Sequence, residues 1–211
     1  MAKVDIAVIS DVICPWCFIG SRRLTQVLDG ADEVEATITY HPYLLDPTVP
    51  PEGMDLRERL RSKYGVDPEQ MFRQIEQAAR DTGIPLDFSR VQRTPNTIPA
   101  HTLLRHAAPR GSQLTLSDAL FTAYFLDGQD ISDPEVLATI ASRVGFTADE
   151  ARGIVTSAQE LQVTRDEAAA ASQAGIRGVP FFVFNNKVGF SGAQPAHVFR
   201  QALEKVTART E

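Results

Sequence analysis

Apolar and polar positions divide this chain into stretches of different period. From Val4 to Ile9 nearly every position is apolar, which predicts a strand buried on both faces of a sheet. The period then changes, and Phe18, Ile19, Leu24, Val27 and Leu28 recur at helical spacing up to Asp29-Gly30. Alternation returns from about Glu35 to His41, with Ala36, Ile38 and Tyr40 on one side, and predicts a second strand. Strand, helix and strand in that order imply a parallel pair with a right-handed crossover. His41-Pro42 breaks the second strand, and Pro47, Pro50, Pro51 and Gly53 bend the chain away from it.

From Asp55 to about Ser172 strand alternation disappears. The pattern predicts successive helices over Leu56 to Tyr64, Met71 to Arg80, Ile98 to Ala107, Leu114 to Leu126, Pro134 to Val144 and Ala148 to Val155. Asp67-Pro68 and Asp133-Pro134 each place a capping side chain before a proline that begins a helix without losing a useful N–H. Short loops between these segments suit a compact bundle. The charges from Arg57 to Lys63 read as a solvated helix face.

The end of the chain alternates strand and helix again. An alanine-rich helix from Leu161 to Ala174 runs into Gly175-Ile176-Arg177-Gly178-Val179-Pro180. Phe181 to Phe184 and Lys187 to Phe190 then flank Asn185-Asn186, a pair suited to a tight hairpin turn. After Ser191-Gly192-Ala193, Pro195 to Val206 reads as a final amphipathic helix. A proline at the first residue of a strand is tolerated, and Val179-Pro180 is a candidate cis bond.

Composition narrows the class. With 43% hydrophobic and 23% charged residues the chain is an ordinary folded protein, and 211 residues can bury a large core as one domain or two. A net charge of −6 argues against nucleic acid or an anionic membrane as partner. No apolar run approaches the length of a membrane span. Met1-Ala2-Lys3 leads straight into the first strand without a signal core, so the expected compartment is the cytoplasm, where a close cysteine pair is more often catalytic than structural.

The chain holds only two cysteines, in Cys14-Pro15-Trp16-Cys17, where the first strand gives way to the first helix. Proline at the first helical position makes Cys14 the N-cap, and the positive end of the helix favours a thiolate there. The thiolate is the reactive form of cysteine, so Cys14 is the attacking sulfur and Cys17, inside the first turn, the resolving one. A buried inert pair and half of a zinc site are the competing readings. Zinc would need two further ligands among His41, His101, His106, His197 or a carboxylate, and no matching His spacing accompanies the pair.

Other candidates are weaker. Arg93-Thr94-Pro95-Asn96-Thr97 is a turn cluster leading into the helix that carries His101 and His106, so Asn96 either makes a local turn or faces a neighbouring site. His101 is either a packed histidine or a proton carrier near Cys14. Trp16 either packs beside the helix or shapes the approach to Cys14.

The order of elements resembles the DsbA family of thioredoxin-fold proteins, and within it the FrnE-like cytoplasmic branch. The likeness is carried by Asp11-Val12-Ile13-Cys14-Pro15-Trp16-Cys17-Phe18-Ile19-Gly20, by Pro95-Asn96-Thr97 with Ala100-His101, by Gly178-Val179-Pro180, and by Ser191-Gly192-Ala193-Gln194. The resemblance implies an α/β thioredoxin fold with a large all-helical domain inserted after the second strand. The expected division is residues 1–48 and 158–211 for the thioredoxin-like part and 49–157 for the insertion. It further implies a cis Pro180 facing the CxxC pair, with the Val179 main chain able to pair with an extended substrate.

Kappa-class glutathione transferases and hydroxychromene-carboxylate isomerases share that superfamily. They typically carry serine where this chain has Cys14, lack the second cysteine, and place an Asp-Arg pair where this chain has Ala193-Gln194. The expected function is therefore thiol–disulfide exchange with protein or small-thiol substrates through Cys14 and Cys17. The expected binding residues are Pro15, Trp16, Val179, Pro180, Asn96, His101 and Gln194. No metal or bound cofactor is expected beyond the redox-active pair. Glutathione stands as a candidate co-substrate and a homodimer as a candidate assembly. A glutathione-dependent isomerase or transferase, and a non-enzymatic redox-sensing or chaperone-like binder, remain the alternatives.

Overall fold

A computed structural model describes residues 1–208. Strand β1 (Ala2–Ser10) leads through the Cys14 turn into helix α1 (Pro15–Leu28) and strand β2 (Val34–Pro42), which pairs with β1 in parallel register from Ala2↔Val34 to Ser10↔Pro42. Far along the chain, β5 (Phe181–Phe184) pairs antiparallel with β1 and β6 (Val188–Ser191) pairs antiparallel with β5, giving a sheet of order β2-β1-β5-β6. Asn185 and Asn186, at φ 48° and 53°, make the primed turn that matches strand twist, as their sequence foretold. The second strand of the hairpin starts at Val188, one residue later than the pattern predicts.

Between β2 and β5 lie helices α2 (Leu56–Tyr64), α3 (Pro68–Arg80), α4 (Ile98–Ala107), α5 (Gln113–Phe125), α6 (Pro134–Ser142), α7 (Ala148–Thr156) and α8 (Ala158–Gln173), and α9 (Ala196–Thr207) closes the chain. Their starts follow local chemistry. Asp67 and Asp133 accept from Glu69 N and Glu135 N, and Thr147 with Glu150 forms a reciprocal capping box. One pairing lay outside any pattern: Met54–Asp55 (β3) and Arg93–Thr94 (β4) form a two-residue antiparallel ladder, too short to leave an alternating signature.

Two expectations need correction. Only one face of β1 is buried along its whole length, since Lys3 and Asp5 are exposed and burial on both faces is confined to Ile9 and Ser10. The basic run on α2 is not simply a solvated face. Arg57 donates to Val91 O and Phe88 O, Lys63 donates to Leu45 O, and Arg59 pairs with Asp46. Irregular loops leave such carbonyls without helix or strand partners, and these cations supply the donors.

Helix α1 belongs to both hydrophobic cores. Its Cys17, Phe18 and Ile19 join the helical core, where Phe18 stacks on Phe121 with centroids 5.1 Å apart. Its Leu24 and Val27 join the sheet core with Val4, Ile6, Val8, Phe182, Phe184 and Phe199. Gly20 lets it lie close to β5. A Cβ at Gly20 would meet Phe182 Cζ at 3.0 Å and Pro180 Cγ at 3.1 Å. Gly20→Ala should therefore destabilise the protein, because overpacking a fixed site costs about 1–3 kcal/mol while alanine returns at most about 1 kcal/mol of helix propensity. Thermal unfolding checks this, and the variant should melt a few degrees lower; a higher melting temperature would contradict the close approach.

Candidate active site

The strand-to-helix turn places both sulfurs. Cys14 N donates to Asp11 O at 2.9 Å, and Cys14 O accepts from Cys17 N at 3.0 Å and Phe18 N at 3.2 Å, so Cys14 is the N-cap and Cys17 lies in the first turn. Cys14 makes no side-chain cap bond; its Sγ lies 3.7 Å from Val179 O, a weak S–H contact. Both cysteines are free thiols. Neither is open to bulk solvent, and Cys14 retains only 3% of its exposure. What remains accessible faces a groove of about 220 Å³.

That groove joins the turn to the helical region. Pro15 and Trp16 line it from the turn, Val179 from the loop before β5, and Leu60, Phe72 and Tyr124 stand among the apolar walls. Its polar edge carries Lys63 and the Arg59–Asp46 pair. Trp16 and Tyr64, both exposed, flank it. Val179-Pro180 is cis, and Pro180 is buried against Gly20 on α1.

Behind the pair the surroundings are polar. Cys17 is fully buried, with Cys14 Sγ, Ser10 Oγ and the Asp11 amide facing its sulfur. Burial pushes the Cys17 thiol well above its ordinary value; the neighbouring Cys14 pushes the same way, and Ser10 and the Asp11 amide only partly offset both. Asp11 is itself wholly buried, its Oδ1 lying 3.1 Å from His101 Nε2 and its Oδ2 accepting from Leu45 N at 2.8 Å. This links residues 90 positions apart in sequence.

The remaining candidates are placed elsewhere. Asn96 uses its side chain locally, Nδ2 donating to Val49 O at 2.8 Å and Oδ1 accepting from Ile98 N at 3.1 Å. Gln194 Nε2 donates to Ser191 O at 2.9 Å within its own turn, and its carbonyl accepts from Arg23. Neither lines the groove at Cys14. Among the described residues no group of three or more His, Cys, Asp or Glu is placed to hold a metal, and no helix is long and apolar enough to cross a membrane. Asp11, which belongs to the family motif but not to the expected binding residues, and Ser10 are placed beside the pair only by the structure. The one available signal was an acid three residues before the motif in a mostly apolar stretch.

Residues 5–204 match the DSBA-like thioredoxin domain family. The crystal structure of a probable DsbA oxidoreductase, SCO1869 from Streptomyces coelicolor, superposes with a TM-score of 0.86 at 32% identity, covering 99% of this chain and 92% of that one. The uncharacterized protein YwbO of Bacillus subtilis is 26% identical over 205 residues, 95% of this chain and 96% of its own. The cytosolic disulfide reductase DsbM of Pseudomonas aeruginosa, solved with GSH, shares the fold at a TM-score of 0.64 and 16% identity, covering 96% of this chain and 98% of that one.

The arrangement predicts unequal reactivity. Alkylation needs the thiolate, which burial withholds from Cys17, whereas Cys14 sits at a helix N-terminus beside the groove. Brief iodoacetamide treatment of reduced protein near pH 6, followed by peptide mapping, should modify Cys14 well before Cys17. Equal rates at both residues would rule the asymmetry out.

Proposed function

The chain belongs to the family of DSBA-like thioredoxin domains, and from that premise we propose that it exchanges disulfides with thiol or disulfide substrates through a mixed disulfide on Cys14. One observation carries this reading: Cys14 Sγ lies at a helix start against Val179 O and borders the groove, with Cys17 behind it in the same turn. In the reducing direction the Cys14 thiolate attacks one sulfur of a substrate disulfide and expels the other as a thiolate. Cys17 then attacks Cys14 Sγ, releasing the second substrate thiol and closing the Cys14–Cys17 disulfide. The oxidised protein runs the same exchange in reverse.

Substrate would lie along the loop before β5, pairing with the Val179 main chain by strand addition, beside Pro180. The groove between Trp16 and α2–α3 is small beside the usual drug-sized pocket, and suits one apolar side chain or a low-mass thiol next to the reacting sulfur. Glutathione fits the role of co-substrate, as the GSH in the DsbM structure suggests. Asn96 and Gln194 would act at most indirectly, by holding the loop at Val49 and the turn at Ser191. A FrnE-like protein working in the cytoplasm, with residues 49–157 as its inserted helical domain, completes the reading. A dedicated glutathione transferase or isomerase is less well supported, since a second thiol directly behind Cys14 would expel bound glutathione from a mixed disulfide.

Reduction of insulin by dithiothreitol, followed by turbidity, tests the proposal. The wild-type protein should speed the reaction and Cys14→Ser should abolish the effect. Cys17→Ser should instead accumulate a mixed disulfide on Cys14, visible as an added mass. Full activity in Cys14→Ser would refute the assignment.

A further inference from the structure

The groove beside Cys14 joins an apolar wall to a single uncompensated charge. Leu60 on α2 and Met71 on α3, both half-buried, make its sides apolar together with Leu45 and Phe72. Among the described residues only three charged groups line it, Asp46, Arg59 and Lys63. The first two pair with each other in a mostly buried bridge and so cancel, which leaves Lys63 to set the sign at the groove. Its Nζ donates to Leu45 O at 3.1 Å, lies 5.5 Å from the Tyr64 ring centroid, and forms no ion pair among the described residues. An ammonium has three N–H donors, so two remain for a ligand.

A lysine in the last turn of a helix also suits the negative end of the helix dipole. Arg61 serves that purpose equally and does not line the groove, whereas Lys63 is pinned across the groove edge from α2 to the loop after β2. The chain as a whole carries a net charge of −6, so an uncompensated cation at the mouth of its reactive groove stands against the general field. An acidic ligand is drawn to that point and repelled elsewhere.

We propose that the groove is a side-chain subsite for an acidic, apolar polypeptide segment, in which an aromatic or branched aliphatic side chain two residues from the substrate cysteine fills the groove and an adjacent carboxylate pairs with Lys63. The inference rests on the disulfide-exchange reading above and names the substrate class for it. A segment added along Val179 is extended, its side chains alternate, and residues two apart share one face at a spacing of about 7 Å. A cysteine aimed at Cys14 Sγ therefore aims its second neighbour at the adjoining groove, which Cys14, Val179 and Leu60 all border. About 220 Å³ takes one such side chain and not a folded surface. Cys14, at 3% exposure, is reached by a thin extended chain. Glutathione supplies carboxylates but no apolar side chain, and so uses only half of the subsite.

Competition between peptide disulfides tests this. End-capped heptapeptides with one central cysteine, Phe or Ala two places to either side of it, and Glu or Lys at both ends are oxidised to homodisulfides and offered in pairs to reduced Cys17→Ser protein. The mixed disulfide on Cys14 is then counted by mass after a brief exposure. Phe peptides should be captured about 10- to 100-fold faster than Ala peptides, as burial of one aromatic side chain predicts. Glu peptides should be captured about 3- to 10-fold faster than Lys peptides at low ionic strength, and the gap should close in high salt. Adding Lys63→Glu should invert the Glu–Lys order, which a merely structural loss at that position would not do, and adding Leu60→Asn should cut the Phe preference. Should Leu60→Asn not fold, the peptide rankings still decide. Equal capture of Phe and Ala peptides, a Glu–Lys order untouched by Lys63→Glu, or oxidised glutathione outcompeting every peptide would overturn the subsite. No mixed disulfide with any peptide or with oxidised glutathione would instead refute the exchange reading itself.

Discussion

The close contact of Gly20 with Phe182 and Pro180 fixes where the cysteine pair sits. Helix α1 can approach β5 only because no Cβ intervenes, and that approach brings the start of the helix beside the loop that ends in Val179-Pro180. From there the 3.7 Å contact between Cys14 Sγ and Val179 O follows, although the two residues are 165 positions apart. The same helix is gripped from both sides, by the phenylalanine stack on Phe18 and by Leu24 and Val27 in the sheet core. Offset aromatic pairs contribute about 0.5–1.5 kcal/mol beyond their buried area, so Phe18 with Phe121 and Phe125 anchors α1 at the residue next to Cys17.

Local signals in the sequence were read well, and signals that depend on distant partners were not. Pro15 after Cys14, Asp67-Pro68, Asp133-Pro134 and Asn185-Asn186 each carry their geometry within a few residues, and the structure uses them as read. Four parallel and antiparallel strands, the helical stretch between them and the cis Val179-Pro180 bond were likewise legible, the last through family likeness. The Asp11–His101 pair was not, because nothing near Asp11 in sequence says which histidine meets it. The near-complete covering of Cys14 was missed for a similar reason. It is covered by residues such as Leu60 and Val179, which fold onto the turn from other parts of the chain.

The two sides of the cysteine pair contrast in chemistry. Toward Cys14 the walls are apolar and aromatic, with charge confined to Lys63 and the Arg59–Asp46 pair at the edge. Toward Cys17 the neighbours include the Ser10 hydroxyl and the Asp11 amide, and the Asp11 carboxylate is itself paired with His101. Cys14 thus borders the groove while Cys17 is sealed from solvent behind it.

Stability does not account for the polar side. Exchanging a buried acid–base pair for apolar side chains of similar volume is often neutral or stabilising by about 1–4 kcal/mol, whereas removing one partner alone costs about 3–5 kcal/mol. Asp11 is fully buried and held by His101 and the Leu45 amide, so it is the kind of group a core could dispense with only as a pair. Among the described residues the Ser10 and Ser117 hydroxyls meet no partner at hydrogen-bonding geometry, so alanine at either place would leave no polar atom to satisfy. Burial raises the Cys17 thiol, and the residue whose amide faces that sulfur, Asp11, is the one whose carboxylate meets His101 in the core.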